Sequence, residues 1–271
     1  MKYVHANGAD IPALGLGTWQ LRGADAQRIT ERALAAGYRH LDTAQMYGNE
    51  REIGKAIARA SLDREALFLT TKVWWENLPG SKFSRSVEAS LTHLGVDYVD
   101  LLLIHWPHPE LPLEEYLEAL VRVQEQGGAR HIGISNFIPE QVERAVATGA
   151  RLVTNQVEYH PLLDQSAVRQ AGRRHGLSLT AYAPLAQGQA LQIDVITRIA
   201  RRHARTPAQV TLRWLVQQDD VIAIPKTSTP ERLPENLDIF DFRLSNAEMD
   251  QISALTRRGK RLVNPAFAPE W

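Results

Sequence analysis

The chain has 271 residues, with 31 Lys+Arg balanced by 31 Asp+Glu, 44% hydrophobic residues and no cysteine. Zero net charge offers no basic face for nucleic acid, and the missing cysteines exclude disulfides, thiolate metal sites and a cysteine nucleophile. No apolar run approaches ~18 residues and the N-terminus, MKYVHANGAD, lacks a hydrophobic signal region, so a cytoplasmic protein without membrane association is expected.

In chain order, KYVHANGADIPAL reads as a hairpin around an Asn7-Gly8 turn, covering the floor of whatever follows. Short apolar strand patterns then alternate with helical ones. ALGLGT (13–18) precedes a helix closing on Gly37, and HLDTA (40–44) precedes one that Asn49 and Glu52 would open as a capping box. ALFLTTKV (66–73) leads into a helix ending at Gly95, and YVDLLLIHW (98–106) into EEYLEALVRVQ. HIGISNF (131–137) is followed by a helix starting at Pro139 and stopping at Gly149. LVTNQVEY (152–159) is followed by one capped by Asp164 and ended by Gly176. After LSLTAYAP (177–184) come two helical patterns, the second opening at Thr206-Pro207. VIAIPKT (221–227) is the eighth strand, and a last helix opens with a Ser245…Glu248 capping box.

Eight strands buried on both faces and alternating with helices predict an α/β (β/α)8 TIM barrel, with an N-terminal hairpin and two extra helices, forming one domain over 1–271. A doubly wound dinucleotide fold is the competitor. Its glycine fingerprint fails, because Gly15 and Gly17 are followed by Gln20 where the third glycine belongs.

Barrel active sites lie at the C-terminal strand ends. Those ends read Thr18-Trp19, Asp42, Lys72-Val73-Trp74, His105-Trp106, Ser135-Asn136, Asn155-Gln156, Tyr182 and Lys226-Thr227. A lysine buried at a barrel mouth needs a partner, and Asp42 is available. Tyr47, on the loop after Asp42, is a poor acid by itself, but a neighbouring ammonium lowers a phenol's pKa. His105 completes the ionisable set. A metal-dependent hydrolase built on His105 and His108 is the alternative, and it leaves Tyr47 and Lys72 without a role. Ser135, Asn136 and Gln156 could clamp a carboxamide, and Tyr182 could stack on a flat ring. Lys226, Thr227 and Arg232 gather donors suited to a phosphate.

Together these segments resemble the aldo-keto reductase superfamily. The carrying motifs are GLGTWQ (15–20), GYRHLDTAQMYGNE (37–50), LTTKVWWEN (69–77), DYVDLLLIHWP (97–107), IGISNF (132–137), TNQVEYHP (154–161), AYAPLAQG (181–188) and IPKTSTPERLPEN (224–236). The short length and the terminal RLVNPAFAPEW resemble its bacterial branch that reduces 2,5-diketo-D-gluconate and methylglyoxal. The resemblance implies a monomeric barrel that reduces small carbonyl compounds with NADPH, NADH serving less well. It implies a catalytic tetrad of Asp42, Tyr47, Lys72 and His105, with Tyr47 as the general acid, Lys72 held by Asp42, and His105 orienting the carbonyl. Ser135, Asn136 and Gln156 would hold the nicotinamide carboxamide, with Thr18 also among the cofactor-binding positions and Tyr182 stacked on the ring. Leu185 and Gln187 would follow the pyrophosphate, and Lys226, Thr227, Arg232 and Asn236 would hold the adenosine end.

The cations Lys226 and Arg232 match a 2′-phosphate, although Thr227 stands where Ser is commoner, Thr229 where Arg is frequent, and Ala183 where Ser or Gly follows the stacking residue. Trp19, Trp74 and Trp106, with His105, would line the substrate pocket, which the short loop after His105 and the short tail would leave open. A catalytically silent NADPH-binding sensor is the rival reading within the same fold.

Overall fold

The computed structural model describes residues 2–271. Strands β1 (Tyr3–Ala6) and β2 (Ala9–Pro12) form the antiparallel hairpin. Asn7 and Gly8 both have positive φ, 44° and 87°, as a tight two-residue turn with right-handed twist requires. The Asn7 amide donates to the carbonyls of Leu152 and His175 at 2.7 and 2.9 Å. Leu152 begins a barrel strand, so the hairpin does cover the floor.

Eight parallel strands follow in sequential order: β3 (Leu16–Gly17), β4 (His40–Asp42), β5 (Phe68–Val73), β6 (Val99–Ile104), β7 (Ala129–Ser135), β8 (Leu152–Glu158), β9 (Ser178–Tyr182) and β10 (Val221–Ala223). The first and last meet: Gly15 and Gly17 N–H donate to Ala223 and Pro225 carbonyls, and Ala223 N–H returns to Ala13. No side chain could stand at Gly17, where a Cβ would come within 2.7 Å of the Ile224 carbonyl. Every residue of β5, β6 and β8 is buried, including Thr70, Thr71 and Lys72. Such strands lie between a filled barrel interior and the surrounding helices, which explains runs without polar alternation.

The barrel helices are α1 (Gly23–Ala36), α2 (Glu50–Arg59), α3 (Lys82–Leu94), α4 (Leu113–Glu125), α5 (Pro139–Ala147) and α6 (Ser166–Arg174). After α7 (Asp194–Arg202) come α8 (Pro207–Val216), α9 (Arg232–Leu237) and α10 (Asn246–Ser253). The two extra helices are α7, between the seventh and eighth strands, and α10. Capping boxes open α8 at Thr206 and α10 at Ser245. The buried Trp214 indole donates to Ser253 Oγ at 3.0 Å, tying α8 to the end of α10.

Two helix starts differ from the sequence pattern. Asn49 stands at the N-cap position of α2, but its side chain makes no capping hydrogen bond. Its fully buried amide donates to the carbonyls of Thr18 and Leu21 and accepts from Thr43 Oγ1, so tertiary acceptors outcompete the local one. Asp164 accepts the Ser166 N–H in a local turn, and α6 begins two residues after it.

Candidate active site

The site forms where the strands end. Lys72 projects from β5 into the barrel mouth, and Asp42 closes β4 beside it. Neither is more than 1% exposed. Lys72 Nζ donates to Asp42 Oδ1 at 2.5 Å, to the Thr43 carbonyl at 2.9 Å and to the Tyr47 hydroxyl at 3.3 Å. Burial of the ammonium works against its charge, but Asp42 and Tyr47 outweigh that and hold Lys72 above its ordinary pKa. The other Asp42 oxygen accepts the Gln156 amide at 2.7 Å. This carboxylate therefore joins the ion pair to β8 on the far side of the mouth.

Tyr47 ends a short 3-10 turn, Gln45–Tyr47, directly after β4. Gln45 pins the turn: its carbonyl oxygen accepts the Trp74 backbone N–H at 3.0 Å and the Asn77 amide at 2.9 Å. Tyr47 packs between Trp19 and His105, with ring centroids 4.9 and 5.6 Å away. The expected lowering of its pKa needs correction. Lys72 does pull the phenol down, but crowding by apolar surroundings is the larger effect and the net shift is upward. Tyr47 is thus firmly protonated at neutral pH.

His105 is buried beside Lys72, and both burial and that ammonium hold its imidazole well below the ordinary value, so it is neutral. Its Nδ1 has no protein partner. His108 stays outside: its Nδ1 accepts the backbone N–H groups of Glu110 and Leu111, and its ring packs on Trp75. Among the described residues no group of three or more His, Cys, Asp or Glu is placed to hold a metal ion.

The polar strand ends form one network. Ser135 Oγ donates to the Gln156 carbonyl at 2.8 Å. The Asn136 amide donates to the His105 carbonyl and to Ser135 Oγ, while its oxygen accepts the Tyr182 hydroxyl at 2.8 Å. Asn136 adopts a left-handed backbone, φ 64°, which a short amide tolerates better than most side chains. Thr18 is fully buried, and its hydroxyl donates to the Asp42 carbonyl, joining the ends of β3 and β4.

Beyond Tyr182 the chain carries positive φ at Ala183, Ala186, Gln187 and Gly188. Such left-handed strain concentrates at functional loops. Leu185 is half-buried there and Gln187 exposed. Further round the mouth, Thr227 is buried and its hydroxyl accepts the Thr229 N–H, and Asn236 is buried within α9. Lys226 and Arg232 are exposed, and neither is in an ion pair among the described residues.

One wall was not legible in the sequence. Phe267, from the C-terminal tail, sits edge-on to Trp74 and Trp106 with centroids 5.5 Å away and tilts against Trp75 at 5.3 Å. The short tail therefore adds an aromatic wall to the mouth. It is docked by Glu158, the fully buried last residue of β8, whose oxygens accept the Leu262 and Val263 N–H groups at 2.7 and 2.8 Å. The only sequence signal for this was a carboxylate, Glu158, ending a strand pattern.

The comparisons agree with this geometry. Residues 13–257 match the model of the aldo/keto reductase family. Methylglyoxal reductase DkgB of Escherichia coli O157:H7 is 43% identical over 96% of this chain and 99% of its own length. An aldo-keto reductase of Mycolicibacterium smegmatis is 44% identical over 94% of this chain and 93% of its own. A crystal structure assigned to a 2,5-diketo-D-gluconic acid reductase B superposes with a TM-score of 0.98 at 51% identity, covering all of this chain and 97% of that one. The aldose reductase of Schistosoma japonicum superposes at 0.94 with 33% identity, covering 99% and 96%. The chain belongs to the aldo/keto reductase family and is an oxidoreductase of that family's barrel architecture.

Proposed function

We propose that this protein reduces small polar carbonyl compounds, methylglyoxal and 2,5-diketo-D-gluconate among them, with NADPH as the preferred reductant and NADH as a weaker one. The observation that carries the reading is the chain from Asp42 through Lys72 to Tyr47, with neutral His105 against the tyrosine ring.

The residues suit an extended nicotinamide dinucleotide. At one end buried Ser135, Asn136 and Gln156 offer amides and a hydroxyl beside the half-buried Tyr182 ring. At the other stand two exposed cations without carboxylate partners among the described residues, Lys226 and Arg232, with buried Thr227 beside the first and buried Asn236 on the helix that Arg232 opens. When bound, the nicotinamide supplies the hydride that reduces the carbonyl carbon.

The protein's own part is to hold the carbonyl and deliver the proton. Tyr47, protonated at neutral pH, donates its phenolic proton to the carbonyl oxygen. The phenolate left behind lies one hydrogen bond from the Lys72 ammonium, which stabilises it, and Asp42 keeps that ammonium charged and aimed. Neutral His105 serves as a hydrogen-bond donor to the same oxygen rather than as a second charged acid. Trp19, Trp74 and Trp106, joined by Phe267, form apolar walls that exclude water from the reacting atoms.

The test is consumption of NADPH with methylglyoxal and with 2,5-diketo-D-gluconate, in the wild type and in Tyr47→Phe. The variant should lose about 10²- to 10⁴-fold in kcat while its NADPH affinity holds. Undiminished turnover in Tyr47→Phe rejects the acid. Tight NADPH binding without turnover of any carbonyl favours a silent sensor instead.

A further inference from the structure

Among the described residues, five buried side-chain polar atoms lack a protein hydrogen-bond partner: Arg64 Nε, Trp75 Nε1, Tyr98 OH, His105 Nδ1 and Arg261 Nη1. Arg64 and Tyr98 are accounted for at the opposite end of the barrel. There the two cations Arg64 and Arg130 both pack on the Tyr98 ring, and both pair with Asp100. The other three belong to segments that form the mouth. Of those, only Arg261 carries a charge at neutral pH.

Arg261 is held in place from both sides. Its guanidinium lies 3.7 Å over the Trp271 ring centroid. The next residues, Leu262 and Val263, are fastened through their N–H groups to Glu158. Glu158 is the register partner of Tyr182 on β9, so Arg261 enters the tail on the Tyr182 side of the mouth. Six residues later the same tail delivers Phe267 to Trp74 and Trp106 on the opposite side.

Glu158 does not neutralise this arginine by contact. Its two oxygens are taken by the Leu262 and Val263 N–H groups and by the His160 ring at 2.8 Å, and Arg261 is in no ion pair among the described residues. Burial draws the guanidinium below its ordinary basicity, with the Glu158 charge opposing. Arg261 is a half-buried cation on the tail beside Tyr182, and its sheltered Nη1 has no protein partner, which suits it to receive an anion. It lies on the tail that carries Phe267 to Trp74 and Trp106, whereas Lys226 and Arg232 stand at the proposed phosphate end of the cleft.

We propose that Arg261 binds the carboxylate of an acidic carbonyl substrate, so that this pocket discriminates keto-acids from neutral carbonyls. The assignment rests on the reductase reading above and names its substrate class. The donor geometry matters: a planar guanidinium can grip a carboxylate through two nitrogens, and an ammonium cannot.

Arg261→Gln and Arg261→Lys are compared with wild type using 2,5-diketo-D-gluconate as the acidic substrate and methylglyoxal as the neutral one, both at saturating NADPH. Calorimetry with gluconate on the NADP⁺-loaded protein and an NADPH fluorescence titration run beside the assays. Arg261→Gln should raise KM for the acidic substrate and weaken gluconate by roughly 10- to 100-fold, the loss of one charge-assisted hydrogen-bond pair. The KM for methylglyoxal and the NADPH Kd should move by less than about threefold, and Arg261→Lys should fall between. Equal effects on both substrates, or none, overturn the assignment. Weakened NADPH binding with no preference between substrates also overturns it, since the anion is then the cofactor's phosphate. If wild type turns over neither carbonyl, the reductase reading fails, and the gluconate titration still decides whether Arg261 holds a carboxylate.

Discussion

Lys72 and Asp42 meet through a 2.5 Å hydrogen bond in a part of the barrel where neither side chain is exposed beyond 1%. A buried pair of this kind is held together by mutual dependence, because either ion alone would be stranded in a poorly polarisable interior. Asp42→Asn should destabilise the protein by about 3–5 kcal/mol in urea unfolding. The double variant Asp42→Asn/Lys72→Met should recover most of that stability and none of the turnover. A single variant within about 1 kcal/mol of wild type would contradict the burial argument.

The proposed adenosine end carries a different expectation, because Lys226 and Arg232 are exposed and in no ion pair among the described residues. Lys226→Ala or Arg232→Ala should weaken NADPH by about tenfold, the scale of a lost charge-assisted contact, and NADH by less than about twofold. Unfolding midpoints should not move. Equal weakening of both nucleotides in a fluorescence titration rejects a 2′-phosphate contact.

The buried imidazoles make stability depend on pH. His40 and His105 are both held below the ordinary histidine value, chiefly by burial. Below pH about 6.5 the unfolded chain takes up protons that the folded chain refuses, so each histidine costs about 1.4 kcal/mol per pH unit until its folded value is reached. Their contribution is fully present above pH 6.5 and is lost as pH falls. Glu50, whose buried carboxyl is raised, acts in the opposite sense and contributes most at low pH. The slope of unfolding free energy between pH 7.5 and 5.5 should therefore be less steep in His40→Asn than in wild type. An unchanged slope would show that His40 titrates normally in the folded state.

The barrel was legible because its signals are local. Runs such as FLTTKV and VDLLLI are strands buried on both faces, and glycines such as Gly37 and Gly95 stop helices through left-handed backbone that other residues resist. The meeting of Asp42, Lys72 and His105 was legible because the fold converts sequence position into place: a residue that ends a parallel barrel strand must stand at the mouth, and Tyr47 follows β4 on the next turn. Asn49 shows where this logic fails. Its position promised a helix cap, yet the two carbonyls that claim its amide lie 31 and 28 residues away in the chain.

The alternating strand and helix patterns by themselves determined the barrel, the strand ends the ionisable set, and the absent cysteines the exclusion of thiol chemistry, while the zero net charge excluded only a basic face. Only the tertiary structure decided how those charges act. Burial turned the tyrosine's net shift upward against the pull of Lys72, and it made His105 neutral. Glu158 fastened a tail more than a hundred residues distant in sequence to the end of β8, setting Phe267 among the tryptophans and Arg261 over Trp271. Local propensity and strand order follow from neighbouring residues, whereas desolvation and long-range hydrogen bonds depend on which surfaces the whole fold removes from water.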